Sequence, residues 1–256
     1  MAINVDNVYQ TVLLILNKEQ RGLMTPDEFN KTATQVQLDI FEQYFDDLNQ
    51  QLRVPQADYD YTDRQLNIDD KISIFKCIGN CSYSSGRFDL PVLDDITGTT
   101  IVYNDAPVNT NSGFQYAFYK VGTITYDGGT YPIELERLQR DDFYEIQKSD
   151  LTMPSENFPV YLYESKKINV LPNTIQSDVK ASFIRKPRNV NWAFTPGNFG
   201  QYVYDSTNSV NFEIQGSEQV NVILRILQYS GIIIRDPQIV QAASQELAQE
   251  EVNSKR

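Results

Sequence analysis

The sequence predicts an α+β protein: a helical bundle formed by the N- and C-terminal helices, with an antiparallel β domain, a sandwich or small barrel, inserted between them. Three observations predict it. Apolar residues recur at helical spacing over residues 5–52 and again beyond residue 215. The stretch between carries short alternating runs rich in aromatic and β-branched residues, punctuated by Gly, Pro, Asn and Asp. With 41% hydrophobic residues, a chain of 256 residues can bury a substantial core. The bundle is assigned to 1–53 and 215–256. The β-rich insertion takes 54–214, with a short helix at about 137–148 and a long loop or arm at 189–208.

The first helix spans Val5 to Lys18, with Val5, Val8, Val12, Ile15 and Leu16 on one face, and Arg21-Gly22 ends it. Thr25-Pro26-Asp27-Glu28 is a capping box with proline at the first helical position. Met24 and Phe29 sit where a hydrophobic staple closes. The helix that follows runs to about Leu52, with Phe29, Val36, Ile40, Tyr44 and Leu48 as its stripe and Phe41, Phe45 and Leu52 widening it. Tyr59 to Asp63 reads as an exposed connector and Lys71 to Ile78 as a strand.

Asn104 to Gly113 reads as a loop, Phe114 to Tyr126 as a strand, and Asp127-Gly128-Gly129 as a tight turn before Thr130 to Leu135. The short helix turns Leu138, Phe143 and Ile146 inward. Val160–Tyr163 and Lys167–Leu171 form a hairpin, and Val179–Arg185 is a strand closed by Pro187. After a last strand at Ser209–Ile214, Ser217 is the expected N-cap of a helix ending at Gly231. Asp236-Pro237 opens the final helix, which frays from Glu250.

Composition narrows function. The chain has no histidine, which excludes Ser-His-Asp and Cys-His catalysis, His-ligated zinc and an imidazole pH switch. Cys77 and Cys81 lack the further thiolates that a zinc ribbon or iron–sulfur site needs, and read as reduced thiols. No run approaches the ~18 apolar residues of a membrane span, and no basic-then-apolar leader opens the chain. A net charge of −12 argues against a dedicated DNA-binding protein. Asn and Gln together number 41, and with sixteen Tyr they suit wet, uncharged protein contacts.

No catalytic, cofactor-binding or metal-ligating set emerges, and no cofactor is expected. The four aspartate doublets, Asp46-Asp47, Asp69-Asp70, Asp94-Asp95 and Asp141-Asp142, read as solvated or capping groups; Asp141-Asp142 falls in a helix's first turn. A two-metal site would need several carboxylates converging on ions about 4 Å apart. The densest basic stretch is Lys166, Lys167, Lys180, Arg185, Lys186 and Arg188, which reads either as a DNA-contacting surface with stacking aromatics or as a charged strand edge or contact with an acidic partner. The run Asn189 to Asn208 is long and aromatic, and reads as an interface arm ordered by a partner. Its Trp192, Phe194, Phe199, Tyr202 and Tyr204, with Ile239, Val240 and Leu247 of the final helix, are the interface candidates.

The segment Asn17-Lys18-Glu19-Gln20-Arg21-Gly22, followed by Thr25-Pro26-Asp27-Glu28-Phe29-Asn30, resembles the N-terminus of ring proteins of crAss-like phages. Pro159-Val160-Tyr161, Lys167 to Pro172, and Phe183-Ile184-Arg185-Lys186-Pro187 resemble core strands of head-to-tail connector (adaptor) proteins of short-tailed bacteriophages. Asp236-Pro237 before a Gln/Ala/Glu-rich helix fits the same pattern. The resemblance spans nearly the whole chain, and its motifs are structural. It implies a non-enzymatic virion protein at the tail or portal vertex, made in the bacterial host cytoplasm. Its partners are copies of itself in a closed ring, commonly twelve-fold, the portal protein and other tail or ring proteins. DNA passes the lumen during ejection without specific binding, and no membrane is involved. The alternatives are a tail-fibre or collar attachment protein, a DNA-gripping factor and, less favoured, a carboxylate-dependent metal nuclease.

Overall fold

Two stretches of chain, Met1–Ile74 and Pro187–Arg256, fold into one unit, and the segment between them, Phe75–Lys186, folds into a second. The unit built from both termini is therefore larger than 1–53 with 215–256, taking in a third helix and the whole 187–214 stretch. The computed structural model describes residues 2–18, 24–53, 59–98, 100–102, 108–110, 113–128, 131–234 and 237–254. The proposed stop at Arg21-Gly22 and the cap at Asp236 lie outside these residues.

In chain order the elements are β1 (Ala2–Ile3), α1 (Val5–Lys18), α2 (Pro26–Arg53), α3 (Tyr59–Ser73), β2 (Lys76–Asn80), β3 (Ser82–Ser84) and β4 (Arg87–Asp89). Then come β5 (Thr100–Val102), β6 (Val108–Thr110), β7 (Gly113–Tyr126), β8 (Ile133–Glu134), β9 (Glu136–Arg137) and α4 (Arg140–Glu145). The chain continues through β10 (Val160–Glu164), β11 (Lys167–Leu171), β12 (Val179–Arg185), β13 (Phe194–Pro196) and β14 (Tyr202–Tyr204). It closes with β15 (Phe212–Gln215), α5 (Gln219–Ile234) and α6 (Pro237–Ser254). This is the α+β class that the sequence predicts.

In the first unit, α2 begins where the capping box places it. The Thr25 N–H donates to Glu28 Oε2 at 2.9 Å, and the Glu28 N–H donates to Thr25 Oγ1 at 3.4 Å. Met24 and Phe29, the staple pair, are both buried in the unit's core with Val5, Val8, Val12, Leu16, Val36, Ile40 and Tyr44. α5 supplies Val222, Ile226 and Leu227 to the same core, and it packs against α1, α2 and α6. β1 pairs antiparallel with β15, so the first and last thirds of the chain share a ladder.

Four helical expectations need correction here. Tyr59–Ser73 is a helix, not a connector leading into a strand at Lys71. Ile68 and Ile72, four residues apart, turn to the core, and Lys71 pairs with Glu218 at 2.5 Å. Lys71 to Ile78 fits a period of two as well as one of 3.6 over so short a run, and the strand starts only at Lys76. Ser217 lies within a 3₁₀ turn, Gly216–Glu218, and does not cap α5. Gly231 sits inside α5, which continues to Ile234; packing of the apolar face outweighs the ~1 kcal/mol a mid-helix glycine costs. α6 keeps helical structure to Ser254 instead of fraying from Glu250.

The second unit holds two sheets, ordered β3-β4-β11-β10-β9 and β2-β12-β7-β5, with β6 and β8 also paired to β7. Phe88 and Ile168 from one sheet and Ile124, Val179 and Ala181 from the other share a buried core, which is the sandwich form of the expectation. Pairing is mostly antiparallel, but β9–β10 and β5–β7 are parallel. The β10–β11 hairpin turns through Ser165 and Lys166, both at positive φ. β6 falls inside the stretch read as a loop, Asn104 to Gly113, of which 104–107 and 111–112 lie outside the described residues. α4 and a following 3₁₀ turn carry the predicted short helix, with Phe143 buried and Leu138 packed beside it.

Tyr44 tests the balance of terms in the first core. Its ring is buried, yet its hydroxyl finds no hydrogen-bond partner among the described residues. A buried, unsatisfied hydroxyl costs about 1–3 kcal/mol. Tyr44→Phe is therefore expected to leave the thermal midpoint unchanged or raise it. Phe29→Ala, which empties a fully buried site, is expected to destabilise by about 3–5 kcal/mol. Calorimetry of the two variants checks both.

Candidate interaction surface

A row of uncharged polar side chains on α2 holds the segment that follows Pro187. Asn30, Thr34 and Gln37 fall on one face by their helical spacing. Asn30 Oδ1 accepts the Trp192 N–H at 2.7 Å, and Asn30 Nδ2 donates to the Trp192 carbonyl at 3.3 Å. Thr34 Oγ1 donates to the Val190 carbonyl at 3.4 Å, and Gln37 Nε2 to that of Arg188 at 2.6 Å. Gln37 Oε1 also accepts the Glu213 N–H at 2.8 Å, bringing β15 into the same clasp. Asn191 and Val210 exchange backbone bonds of 3.2 and 2.7 Å, so the chain leaves and re-enters this row as a pair of strands.

Beyond the clasp, residues 193–205 form the β13–β14 hairpin, with Phe194 opposite Tyr204, Thr195 opposite Val203 and Pro196 opposite Tyr202. The predicted arm is thus an ordered hairpin fixed by its own chain. Trp192 is buried, which removes it from the interface candidates. Its indole N–H donates to Asp6 Oδ1 at 2.9 Å, and its ring lies 4.4 Å from that of Tyr9, 5.7 Å from Tyr204 and 6.0 Å from Phe194. Tyr9 in turn donates its hydroxyl to the Met24 carbonyl, and burial raises its pKa, with the Tyr202 charge adding to the effect. Tyr204 is half-buried, Phe194 and Tyr202 are about half exposed, and Phe199 at the tip is 95% exposed.

Of the other interface candidates, Leu247 is half-buried in α6, and the side chains of Ile239 and Val240 lie outside those described. α6 rests on α5, where Gln228 Nε2 donates to Ser244 Oγ at 3.3 Å. The second unit presents an apolar loop that sequence reasoning missed. Between α4 and β10, Leu151 is 94% and Phe158 79% exposed, with Met153 also exposed. The only signal was three large apolar residues in a turn-rich stretch with no periodicity to bury them.

The structure gives the six basic residues different surroundings within their own units. Lys166 is exposed in the β10–β11 turn, and Lys167 pairs with Asp89 at 3.0 Å on one sheet. Lys180 pairs with Asp127 at 3.4 Å on the other sheet. Arg185 is buried, its guanidinium 5.5 Å from the centre of the Phe75 ring, and the Lys186 N–H donates to the Ala117 carbonyl. Arg188 belongs to the other unit, where its Nε bonds Glu213 Oε1 at 2.8 Å and its backbone N–H bonds Glu213 Oε2.

The aspartate doublets are equally dispersed. Asp94 is buried and structural: its carboxylate accepts the N–H groups of Ile78 (3.1 Å), Ile96 (3.4 Å) and Thr97 (3.1 Å), and the Thr97 hydroxyl (2.5 Å). With the Asp95 N–H donating to the Ile78 carbonyl at 2.7 Å, the 91–98 loop covers the edge of β2. Gly79 makes this approach possible, since a Cβ there would collide with the Leu93 carbonyl. Asp141 and Asp142 occupy the first turn of α4 as expected. Among the described residues no group of three or more His, Cys, Asp or Glu side chains could hold a metal ion. Cys77 and Cys81 are free thiols, raised by burial to about 11 and about 12; at Cys77 Asp94 adds to the rise and Arg185 opposes it. Four residues along a strand separate same-side groups by ~13 Å, beyond the reach of a disulfide.

Comparison with known proteins finds no matching family model and no matching curated protein. What the geometry offers is contact chemistry: an aromatic hairpin locked onto a helical core, and an apolar loop on a β scaffold.

Two tests follow. Asn30→Ala removes both partners of the Trp192 peptide unit and is expected to cost about 1–3 kcal/mol and red-shift tryptophan emission. Gln35→Ala, whose side chain bonds Asp39 at the surface, should stay within about 0.5 kcal/mol of the parent. Burial raises the Asp94 pKa, but the Thr97 and Ile78 bonds outweigh it, and the net shift is downward. Its contribution is therefore complete above the unfolded value of about 3.9 and lost as pH falls through the folded value. An acid titration of stability should show that loss in the parent, and Asp94→Asn, destabilised by about 2 kcal/mol at neutral pH, should lack it.

Proposed function

We propose that the chain is a structural virion protein, a subunit of a ring in the phage portal–tail connector that joins neighbouring head and tail proteins around the DNA channel. The observation that carries the reading, beside the sequence resemblance, is that each unit presents its own outward apolar projection. These are the aromatic hairpin ending at Phe199 and the Leu151–Phe158 loop. A subunit that bridges unlike neighbours needs at least two contact surfaces of this kind, and a ring needs a heterologous interface that closes on itself. The proposal assigns no catalytic step, cofactor or metal. A net charge of −12 would repel the phosphate backbone and let DNA pass without adhering.

The exposed Leu151–Phe158 loop favours a second reading, a tail-fibre or collar attachment protein whose β unit carries the binding. The nuclease reading gains no support from Asp94-Asp95, because Asp94 is committed to backbone donors. Quantitative peptide mass spectrometry of gradient-purified particles separates the readings. The ring proposal expects a copy number equal to the portal's. A higher multiple favours fibre or collar attachment, and absence of the peptides from particles overturns the structural reading.

A further inference from the structure

The hydrogen-bond parity of the β13–β14 hairpin fixes which of its peptide groups face outward. The Gly197 N–H bonds the Gln201 carbonyl at 2.8 Å, and the Asp205 N–H bonds that of Ala193 at 2.9 Å. Paired residues in an antiparallel ladder alternate between bonded and non-bonded, so Thr195 and Val203 are the bonded pair between those two. The N–H and C=O groups of Tyr202 and Tyr204 therefore point away from β13, along an edge that runs from Gln201 to Asp205. Neither residue's backbone meets another partner among the described residues.

Several other strand edges among the described residues are closed. The 91–98 loop and the Asp94 carboxylate cover β2, the Leu93–Thr100 bridge and the Ile101 N–H to Val92 bond cover β5, and the Gln37 amide takes the outward N–H of β15. The β13 edge ends in Pro196, which has no N–H to offer. The β14 edge has none of these devices. It is uncharged from Gln201 to Tyr204 and flanked by aromatic surface, with the Phe194 and Tyr202 rings 4.7 Å apart.

We propose that the β14 edge is a strand-addition site that takes an extended, cationic segment of a different protein. The inference rests on the reading of this hairpin as an attachment surface and specifies its mode. Main-chain bonds to Tyr202 and Tyr204 supply the pairing, and β-branched or aliphatic side chains of the incoming strand pack over Tyr202 on one face and Val203 on the other. Charge decides the occupant. Asp205 closes the strand, and its bonds from Asn208 and the Thr207 N–H keep its carboxyl below the usual range, so it stays ionised. Together with the net −12 of each chain, this disfavours a second copy and favours lysine or arginine on the partner strand.

The probe is a capped heptapeptide, Lys-Thr-Val-Thr-Val-Thr-Lys, added to the full-length chain. The chain's single tryptophan, Trp192, stacks on Tyr204 and reports binding by fluorescence, while hydrogen exchange reads the Tyr202 and Tyr204 amides. The lysine peptide is expected to slow both amides about 10-fold or more at about 1 mM, with a glutamate-flanked version about 10-fold weaker. Tyr202→Pro deletes an outward N–H that the hairpin ladder does not use, and should weaken binding about 10-fold with the thermal midpoint retained. Should that variant disturb the hairpin, peptides N-methylated on alternate amides give the same answer from the other side: methylation of the bonded register abolishes binding and of the opposite register does not. Unchanged amide exchange with the lysine peptide overturns the proposal, as does equal binding of the glutamate peptide. So does protection of the two amides in the free chain with concentration-dependent dimerisation by sedimentation, which would make the occupant a second copy. Failure here leaves the particle copy number untouched, so the site and the ring reading fail separately.

Discussion

The first unit depends on the clasp between α2 and the segment from Arg188 to Trp192. That segment runs extended against a helix, with no neighbouring strand to satisfy it until Asn191 meets Val210. A buried peptide group without a partner costs as much as a lost hydrogen bond, so an extended chain on a helix surface is stable only if side chains replace the sheet. Asn30, Thr34 and Gln37 do this at successive turns, and Glu213 takes the Arg188 N–H. Amides suit the task because each offers a donor and an acceptor with no charge to desolvate. With this segment pinned, Trp192 enters the core beside Tyr9, the hairpin gains a fixed root, and β15 is positioned to pair with β1.

A related solution operates in the second unit. The edge strand β2 is closed by a loop and a single carboxylate, and Asp94 collects four donors that would otherwise face solvent or each other. Burying that charge is affordable because every donor is aimed at it, and charge-assisted bonds are about twice as strong as neutral ones. Both units thus use polar side chains to finish backbone hydrogen bonding where regular pairing stops. That closes the β2 and β15 edges without a further strand.

The legible parts of the sequence were those in which local chemistry and tertiary packing agree. The capping box and staple at Met24 to Phe29 located α2, and the alternation of Val179 to Arg185 located β12. α3 was illegible because only Ile68 and Ile72 mark its buried face, within a stretch of Tyr and Asp that reads as a connector. The hairpin at 193–205 reads locally as an arm because its order comes from residues more than 150 positions away, Asn30 and Asp6, whose role no local pattern announces. The basic run failed for a similar reason. Nearness in sequence placed Lys167, Lys180, Arg185 and Arg188 together, whereas the fold gives two of them to opposite sheets, buries the third and hands the fourth to the other unit.

Neutralisation of the bases has a consequence for the surface. Lys167, Lys180 and Arg188 each meet a carboxylate of their own unit, and the chain as a whole carries 34 acidic against 22 basic side chains. A surface of that sign discourages non-specific association between copies, and it also discourages contacts that rely on charge alone with another acidic protein. Attachment to such a protein must then come from uncharged groups, and the aromatic hairpin and the Leu151–Phe158 loop each expose large apolar side chains. Rigid roots matter for such contacts: a side chain already fixed by its own core loses little entropy on binding. The hairpin satisfies this through Trp192, whose burial is the reason that Phe194 and Tyr202 can be exposed and ordered together.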